Sequence, residues 1–115
     1  MTIERFKVGA RMSQAVAHGA TVYLAGQVAD DPEADVEYQT RQILAKIDDL
    51  LAEAGTDKSK LLSANVWLSD ISTFDQMNKV WDAWVTPVSP PARACVESKL
   101  ARPHLKVEIM VIAAR

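Results

Sequence analysis

The chain has 115 residues, enough for one domain around a single hydrophobic core, residues 1–115, with no room for a second. Apolar residues make up 49% of it and charged residues 24%, a balance that excludes a disordered or fibrous protein. The formal net charge of -2 and the pI near 5.6 leave no basic excess, so nucleic-acid binding is not expected.

Three strands are predicted at the beginning of the chain, where short runs are extended in character or rich in β-branched and aromatic residues. They are Arg5–Val8, Gln14–Ala17 and Thr21–Ala25. Turn-forming and acidic residues at Asp30–Asp35 then predict a loop that leads into a helix.

A long helix is predicted over Val36–Ala54, because its apolar residues recur at three- and four-residue steps while charged residues occupy the other face. Gly55 follows directly and can adopt the left-handed conformation that ends a helix. A strand is predicted next, over Leu61–Leu68.

A second helix is predicted to begin after Ser72 or Thr73, either of which can cap it, and to end before Pro87. Its buried stripe comprises Phe74, Met77, Trp81, Trp84 and Val85. Two final strands are predicted, separated by a turn at residues 102–104. They are Ala92–Ser98 and Leu105–Ala114.

This order predicts an α+β fold with a mixed sheet of about six strands and both helices on one face. The last strand is apolar on both sides, because Val107, Ile109 and Val111 alternate with Met110 and Ile112. Two helices cannot cover both faces of a sheet. We therefore expect another copy of the chain to cover the second face, which makes a homo-oligomer.

No segment has the roughly 18 consecutive apolar residues of a membrane helix, and the first residues lack a signal-peptide core, so we expect a cytoplasmic protein. The single cysteine, Cys95, excludes an internal disulfide. Together with the separated His18 and His104 it does not have zinc-site spacing. The chain also lacks a phosphate-binding glycine loop and a catalytic-serine motif, so neither metal nor cofactor is expected.

Two charged residues near predicted strand ends are candidates for chemistry. Arg93 follows a stiff Pro90–Pro91 turn and has the donor geometry that matches a carboxylate, while Glu108 interrupts the second apolar face of the last strand. One cation and one carboxylate together can hold an organic acid and move a proton. An arginine or glutamate taken singly in a strand is more often a solvated side chain or one half of a surface ion pair than a functional residue. Cys95 is interpreted as a small buried hydrophobe, and Asn78 as a helix residue that hydrogen-bonds a loop.

Five segments carry a resemblance to one known family. They are residues 22–28, 47–55, 74–78, 91–96 and 107–109. Their order and spacing resemble the reactive intermediate deaminase (Rid, or YjgF) family over nearly the whole chain. The resemblance implies a chorismate-mutase-like fold and a homotrimer with three clefts between subunits. It also implies cofactor-free hydrolysis of enamines and imines, such as 2-aminoacrylate, to a 2-keto acid and ammonia.

The resemblance also implies roles for particular residues. Arg93 is expected to bind the substrate carboxylate, and Glu108 to position and activate the attacking water. Backbone groups of Gly26 and Cys95 are expected to complete the substrate pocket. Asn78 and Met12 are the remaining candidate substrate-binding residues.

Three positions depart from the best-known branch of the family. Met12 stands where that branch has a tyrosine, and Ala25 and Ala94 stand where it has hydroxyl residues. We therefore expect a less polar pocket and a sister subfamily. Two other functions remain open, namely a non-catalytic regulatory trimer that binds a small carboxylate, and the endoribonuclease activity attached to some relatives.

Overall fold

The computed structural model describes residues 1–115 and contains six strands and two α-helices. In chain order they are β1 (Ile3–Val8), β2 (Ser13–His18), β3 (Thr21–Leu24), α1 (Val36–Glu53), β4 (Leu61–Leu68), α2 (Phe74–Val85), β5 (Ala92–Glu97) and β6 (Val107–Ala114). The strands form one sheet in the order β1-β2-β3-β6-β4-β5, in which β4 and β5 pair in parallel and all other neighbours are antiparallel. The predicted α+β fold is confirmed.

The first helix has the ends that its sequence predicts. Asp35 is the N-cap, and its side chain accepts a hydrogen bond of 2.9 Å from the backbone N–H of Tyr38. Gly55 follows the C-cap with a φ of 84°, a conformation that favours glycine. Local capping therefore fixes both ends of α1.

The helix α2 begins at Phe74, directly after Thr73, as predicted, but neither Ser72 nor Thr73 caps it through its side chain. A short 3-10 turn over Ile71–Thr73 precedes the helix, and the Asp70 carboxylate accepts the backbone N–H of Ser72 at 2.9 Å. Thr73 makes no side-chain cap, because its hydroxyl donates to the Asp70 carbonyl at 2.7 Å. The extra turn moves the capping role to Asp70.

The two helices cover one face of the sheet. On β6, Val107, Ile109 and Val111 are buried beneath them. On the other face, which we call the open face, Met110 and Ile112 are half-buried. Other apolar residues share the open face, as the strand registers show. They are Val16, Tyr23, Trp67 and Val96. The prediction that β6 is apolar on both faces is confirmed.

Neither helix combines the length and the apolar character required to span a membrane.

Candidate active site

Arg93 lies on the edge strand β5 and faces the helices, because it pairs with the buried Ala64 of β4. Its Nη1 atom donates a hydrogen bond of 2.8 Å to Oδ1 of Asn78 on α2. Two aromatic rings of the same helix flank the guanidinium, with centroids 5.8 Å from Cζ for Phe74 and 5.2 Å for Trp81. Hydrogen bonding and cation–π attraction therefore hold the guanidinium against α2.

One side of the Arg93 guanidinium remains free. Its protein contacts, to Asn78 and to Sδ of Met77 at 3.9 Å, both use Nη1. The Nε and Nη2 groups have no protein acceptor, and these parallel donors match the two oxygens of a carboxylate. The arrangement fits the predicted role of Arg93 as a carboxylate-binding group.

Asn78 does not hydrogen-bond a loop, as its position in the sequence suggested, but binds Arg93 across the interface between α2 and β5. Phe74 and Trp81 were interpreted only as core residues. Their spacing could have shown that they lie beside Asn78, because residues three or four positions apart share one face of a helix. A face with two aromatic rings and an amide can orient an arginine.

Glu108 lies on the open face, because it pairs with Trp67 of β4 rather than with a core residue. Its carboxyl lies against Gly26, where an added Cβ atom would overlap Oε2 and come within 3.1 Å of Cδ. A backbone bridge holds Gly26 in place, since the Gln27 N–H donates to the Ile109 carbonyl at 2.8 Å and the Ile109 N–H donates back at 3.1 Å. The structure thus brings Gly26 and Glu108 together.

Burial raises the pKa of the Glu108 carboxyl above its ordinary value, and no basic group of the chain pairs with it to oppose this effect. Its oxygens are not sealed from solvent, because no buried side-chain oxygen lacks a hydrogen-bond partner. A half-buried, unpaired carboxyl with a raised pKa is suited to proton transfer.

Cys95 lies on the helix-covered face beside Val66 and packs against the core. Burial raises the pKa of its thiol, and the nearby positive charge of Arg93 opposes that rise only in part. The thiol is therefore the favoured form, which agrees with its interpretation as a small hydrophobe rather than a nucleophile.

Met12 lies in the connection between β1 and β2 and is 53% exposed. It lines a cavity of about 340 Å³ that Gly26 also lines.

The candidate site residues fall into two groups. Gly26, Glu108 and Met12 surround the ends of β2, β3 and β6, whereas Arg93, Asn78 and Cys95 lie at the α2 side of β5. One chain alone places Arg93 and Glu108 on opposite faces of its sheet.

A family model described as "Endoribonuclease L-PSP" matches residues 2–115. A RutC family protein from Haemophilus influenzae is 48% identical over 117 residues, which covers 98% of each chain. The RutC family protein YoaB from Escherichia coli K12 is 43% identical over 114 residues, covering 99% of each. The similarity therefore extends over the full length of these relatives.

Three solved structures have nearly the same fold. An uncharacterised protein from Pseudomonas aeruginosa superposes with a TM-score of 0.95 at 45% identity and covers 99% of both chains. A YjgF-family protein from Neisseria meningitidis also has a TM-score of 0.95, at 43% identity, covering 100% of this chain and 96% of its own. A Rid-family protein from Yersinia pestis, at 32% identity, has a TM-score of 0.88 over 94% and 90% of the two chains.

Proposed function

Because the chain belongs to the Rid (YjgF) family, we propose that it hydrolyses reactive enamine and imine intermediates to 2-keto acids and ammonia without a cofactor. The observation that carries the proposal is a pair of complementary groups, the side chains of Arg93 and Glu108. One is a guanidinium with a free two-donor edge, and the other is a half-buried carboxyl that holds its proton more tightly than usual.

The chemistry required is modest. An imine carbon is already electrophilic, so orientation of the substrate and one proton-transfer group suffice for catalysis. Arg93 binds the substrate carboxylate, and Glu108 takes a proton from the water as its oxygen bonds to the imine carbon. The same carboxyl then gives that proton to the nitrogen, which yields a carbinolamine. In a second transfer it takes the hydroxyl proton and passes it to the amine, so that the C–N bond breaks as the C=O bond forms and ammonia and the keto acid leave.

We place this reaction in clefts between the subunits of a homotrimer. Arg93 and Glu108 lie on opposite faces of one sheet, so a substrate that contacts both needs Arg93 from one copy and Glu108 from its neighbour. The open face supplies apolar area for such contacts, with Tyr23 at 47% and Val96 at 51% exposed.

The lining near Glu108 favours a substrate different from that of the best-known family branch. Met12 and Ala25 replace a phenol and a hydroxyl beside Gly26, and Ala94 lies on the open face of β5. Fewer hydroxyl groups reach the substrate, which supports assignment to a sister subfamily that accepts less polar imines.

The central test supplies an amino-acid oxidase or a pyridoxal-phosphate lyase that releases imines and follows the rate of keto-acid formation. We expect the wild-type protein to accelerate the reaction, and Arg93→Ala to reduce the acceleration at least to about a hundredth, because a two-bond charged contact is lost. Arg102→Ala, in the exposed turn before β6, is the control and should retain full activity. Equal rates for wild type and Arg93→Ala would refute the assignment.

A regulatory trimer that binds a small carboxylate without turnover is the main competing function. It needs the free edge of Arg93 but not the carboxyl of Glu108. Calorimetry on Glu108→Gln, combined with a cellular assay, separates the two functions. Both keep ligand binding in this variant, but a sensor also keeps its cellular effect, whereas a deaminase loses turnover and the effect that depends on it.

RNA cleavage is a third candidate, suggested by the description of the matching family model. The net charge of -2 supplies no basic surface for a phosphate backbone. Cleavage of RNA that persists in Arg93→Ala and Glu108→Gln proteins after rigorous purification would establish it as a separate activity.

A further inference from the structure

A cavity of about 340 Å³ lies between α1 and the β1–β2 connection. Its volume falls within the range of small-molecule sites in proteins. The residues that line it are Lys7, Met12, Gln14, Gly26, Gln27, Val28, Lys46, Asp49 and Leu50. Its two glutamines, Gln14 and Gln27, hydrogen-bond each other and leave one polar atom on each side chain without a protein partner.

Gln27 is only 6% exposed, and its amide nitrogen makes two hydrogen bonds. Nε2 donates to Oε1 of Gln14 at 2.9 Å and to the Ala25 carbonyl at 3.0 Å. The Ala25 carbonyl can only accept, so the nitrogen of Gln27 must face it. The atom of Gln14 that meets this nitrogen must then be its oxygen. The orientations of both amides are therefore fixed.

Two polar groups are left over by this arrangement. Oε1 of Gln27 accepts no hydrogen bond, and Nε2 of Gln14 donates none, within the chain. Neither atom is sealed in the interior, because no buried side-chain nitrogen or oxygen lacks a partner. Both residues line the cavity, and the acceptor and the donor belong to two amides that one hydrogen bond joins. Because both atoms are open to solvent, a ligand that enters the cavity can replace the water that hydrogen-bonds them.

We propose that this cavity is a binding site for a small molecule that carries a carboxamide. The carbonyl of the ligand accepts from Nε2 of Gln14, and its N–H donates to Oε1 of Gln27. Lys46 adds a positive charge, since its ammonium donates to the Val28 carbonyl and to Asp30, each at 2.7 Å, and keeps its third N–H. A carboxylate elsewhere on the ligand can accept this third N–H, and the two lysines of the lining outnumber its single carboxylate, Asp49.

This site does not depend on imine hydrolysis, although it shares Met12 and Gly26 with the proposed active site. The proposal is therefore tested by measuring ligand binding separately from turnover. Succinamate is a suitable probe because it combines a primary carboxamide with a carboxylate. Levulinate is its matched control, since a methyl group replaces the amide NH₂ while the carbonyl and the carboxylate remain.

The experiment is a titration of the ¹⁵N-labelled protein followed by nuclear magnetic resonance, in which the side-chain NH₂ signals of Gln14 and Gln27 report directly on the site. We expect saturable shifts of both signals with succinamate, and binding of levulinate that is about tenfold weaker, the effect of one lost hydrogen bond. Equal affinity for the two compounds, or no saturable shift of these signals with succinamate, would overturn the proposal.

Gln14→Glu makes the test specific to the free donor. The substitution keeps an oxygen that accepts from Gln27 and replaces the free NH₂ with a second oxygen. We expect succinamate binding to weaken about tenfold in this variant. Gln76→Glu, the same change at an exposed position of α2, should leave it unchanged. Unchanged binding in Gln14→Glu would also overturn the proposal, and a circular dichroism spectrum verifies that both variants are folded.

Discussion

The Glu108 carboxyl occupies the space in which any other residue at position 26 would place its Cβ atom. Gly26 does not have a positive φ, so close approach rather than backbone conformation requires glycine here. We expect Gly26→Ala to displace the carboxyl without unfolding the chain, because the overlapping atoms are the end of a flexible side chain. Imine hydrolysis should fall about 100-fold, the effect of moving a catalytic group by about 1 Å.

Keto-acid formation and thermal melting measure this prediction together. Gly9→Ala is the matched control, since its Cβ atom would make an ordinary contact of 3.5 Å with the Met12 carbonyl oxygen. It should retain both activity and stability. Full activity in Gly26→Ala would show that the position of the Glu108 carboxyl does not matter for the reaction.

The raised pKa of Glu108 has a consequence for stability. The folded state holds this proton to a higher pH than the unfolded state does, so the associated stability is fully present below the unfolded pKa and is lost as pH rises through the folded pKa. Glu108→Gln stays neutral and should therefore melt at a higher temperature than wild type at pH 7, with the difference closing towards pH 4.

Thermal melts across this pH range test the sign of the effect. Glu33→Gln, a change in an exposed loop, should show no such pH-dependent difference. A Glu108→Gln protein that is less stable than wild type at pH 7 would contradict the prediction, because it would mean that a cation rather than burial dominates the surroundings of this carboxyl.

At the scale of elements, α2 serves to orient Arg93 through Asn78 and two aromatic rings. Asn78→Asp keeps an oxygen that accepts from Arg93 but adds a negative charge, which competes with the substrate carboxylate. We expect KM to rise about tenfold with little change in kcat. Initial rates over a range of substrate concentrations measure both constants. The control is Lys79→Ala, at the next residue of α2, whose side chain is 71% exposed, and it should leave KM unchanged. An unchanged KM in Asn78→Asp would show that α2 does not control the contact between Arg93 and the substrate.

The sequence was sufficient to predict elements whose signals are local. Asp35, the apolar periodicity and Gly55 together predict α1 almost to the residue. The start of α2 after Thr73 was predicted correctly, but its capping group was not, because Asp70 caps the preceding 3-10 turn and a run of polar residues offers several possible caps. The partner of Asn78 could not be found in this way, because it depends on β5 pairing in parallel with β4 at the edge of the sheet.

At the scale of the whole molecule, alternation in β6 correctly predicted two apolar faces, but it could not predict which candidate residues share a face. That depends on register, which pairs Arg93 with Ala64 and Glu108 with Trp67. The location of a site between subunits came from the family resemblance rather than from any pattern in the residues. The opposite facing of Arg93 and Glu108 now supplies a geometric reason for it.

This geometry predicts that two inactive variants can restore one another. Arg93→Ala and Glu108→Gln homotrimers each lack one group in every cleft, whereas in a mixed trimer one cleft receives Arg93 from one subunit and Glu108 from its neighbour. Random mixing of equal amounts leaves about a quarter of all clefts complete, so we expect about a quarter of wild-type activity after joint refolding. Mixing the folded homotrimers without subunit exchange is the control and should restore none. If each subunit instead carried a whole site, joint refolding would restore nothing, because every site would still lack one group.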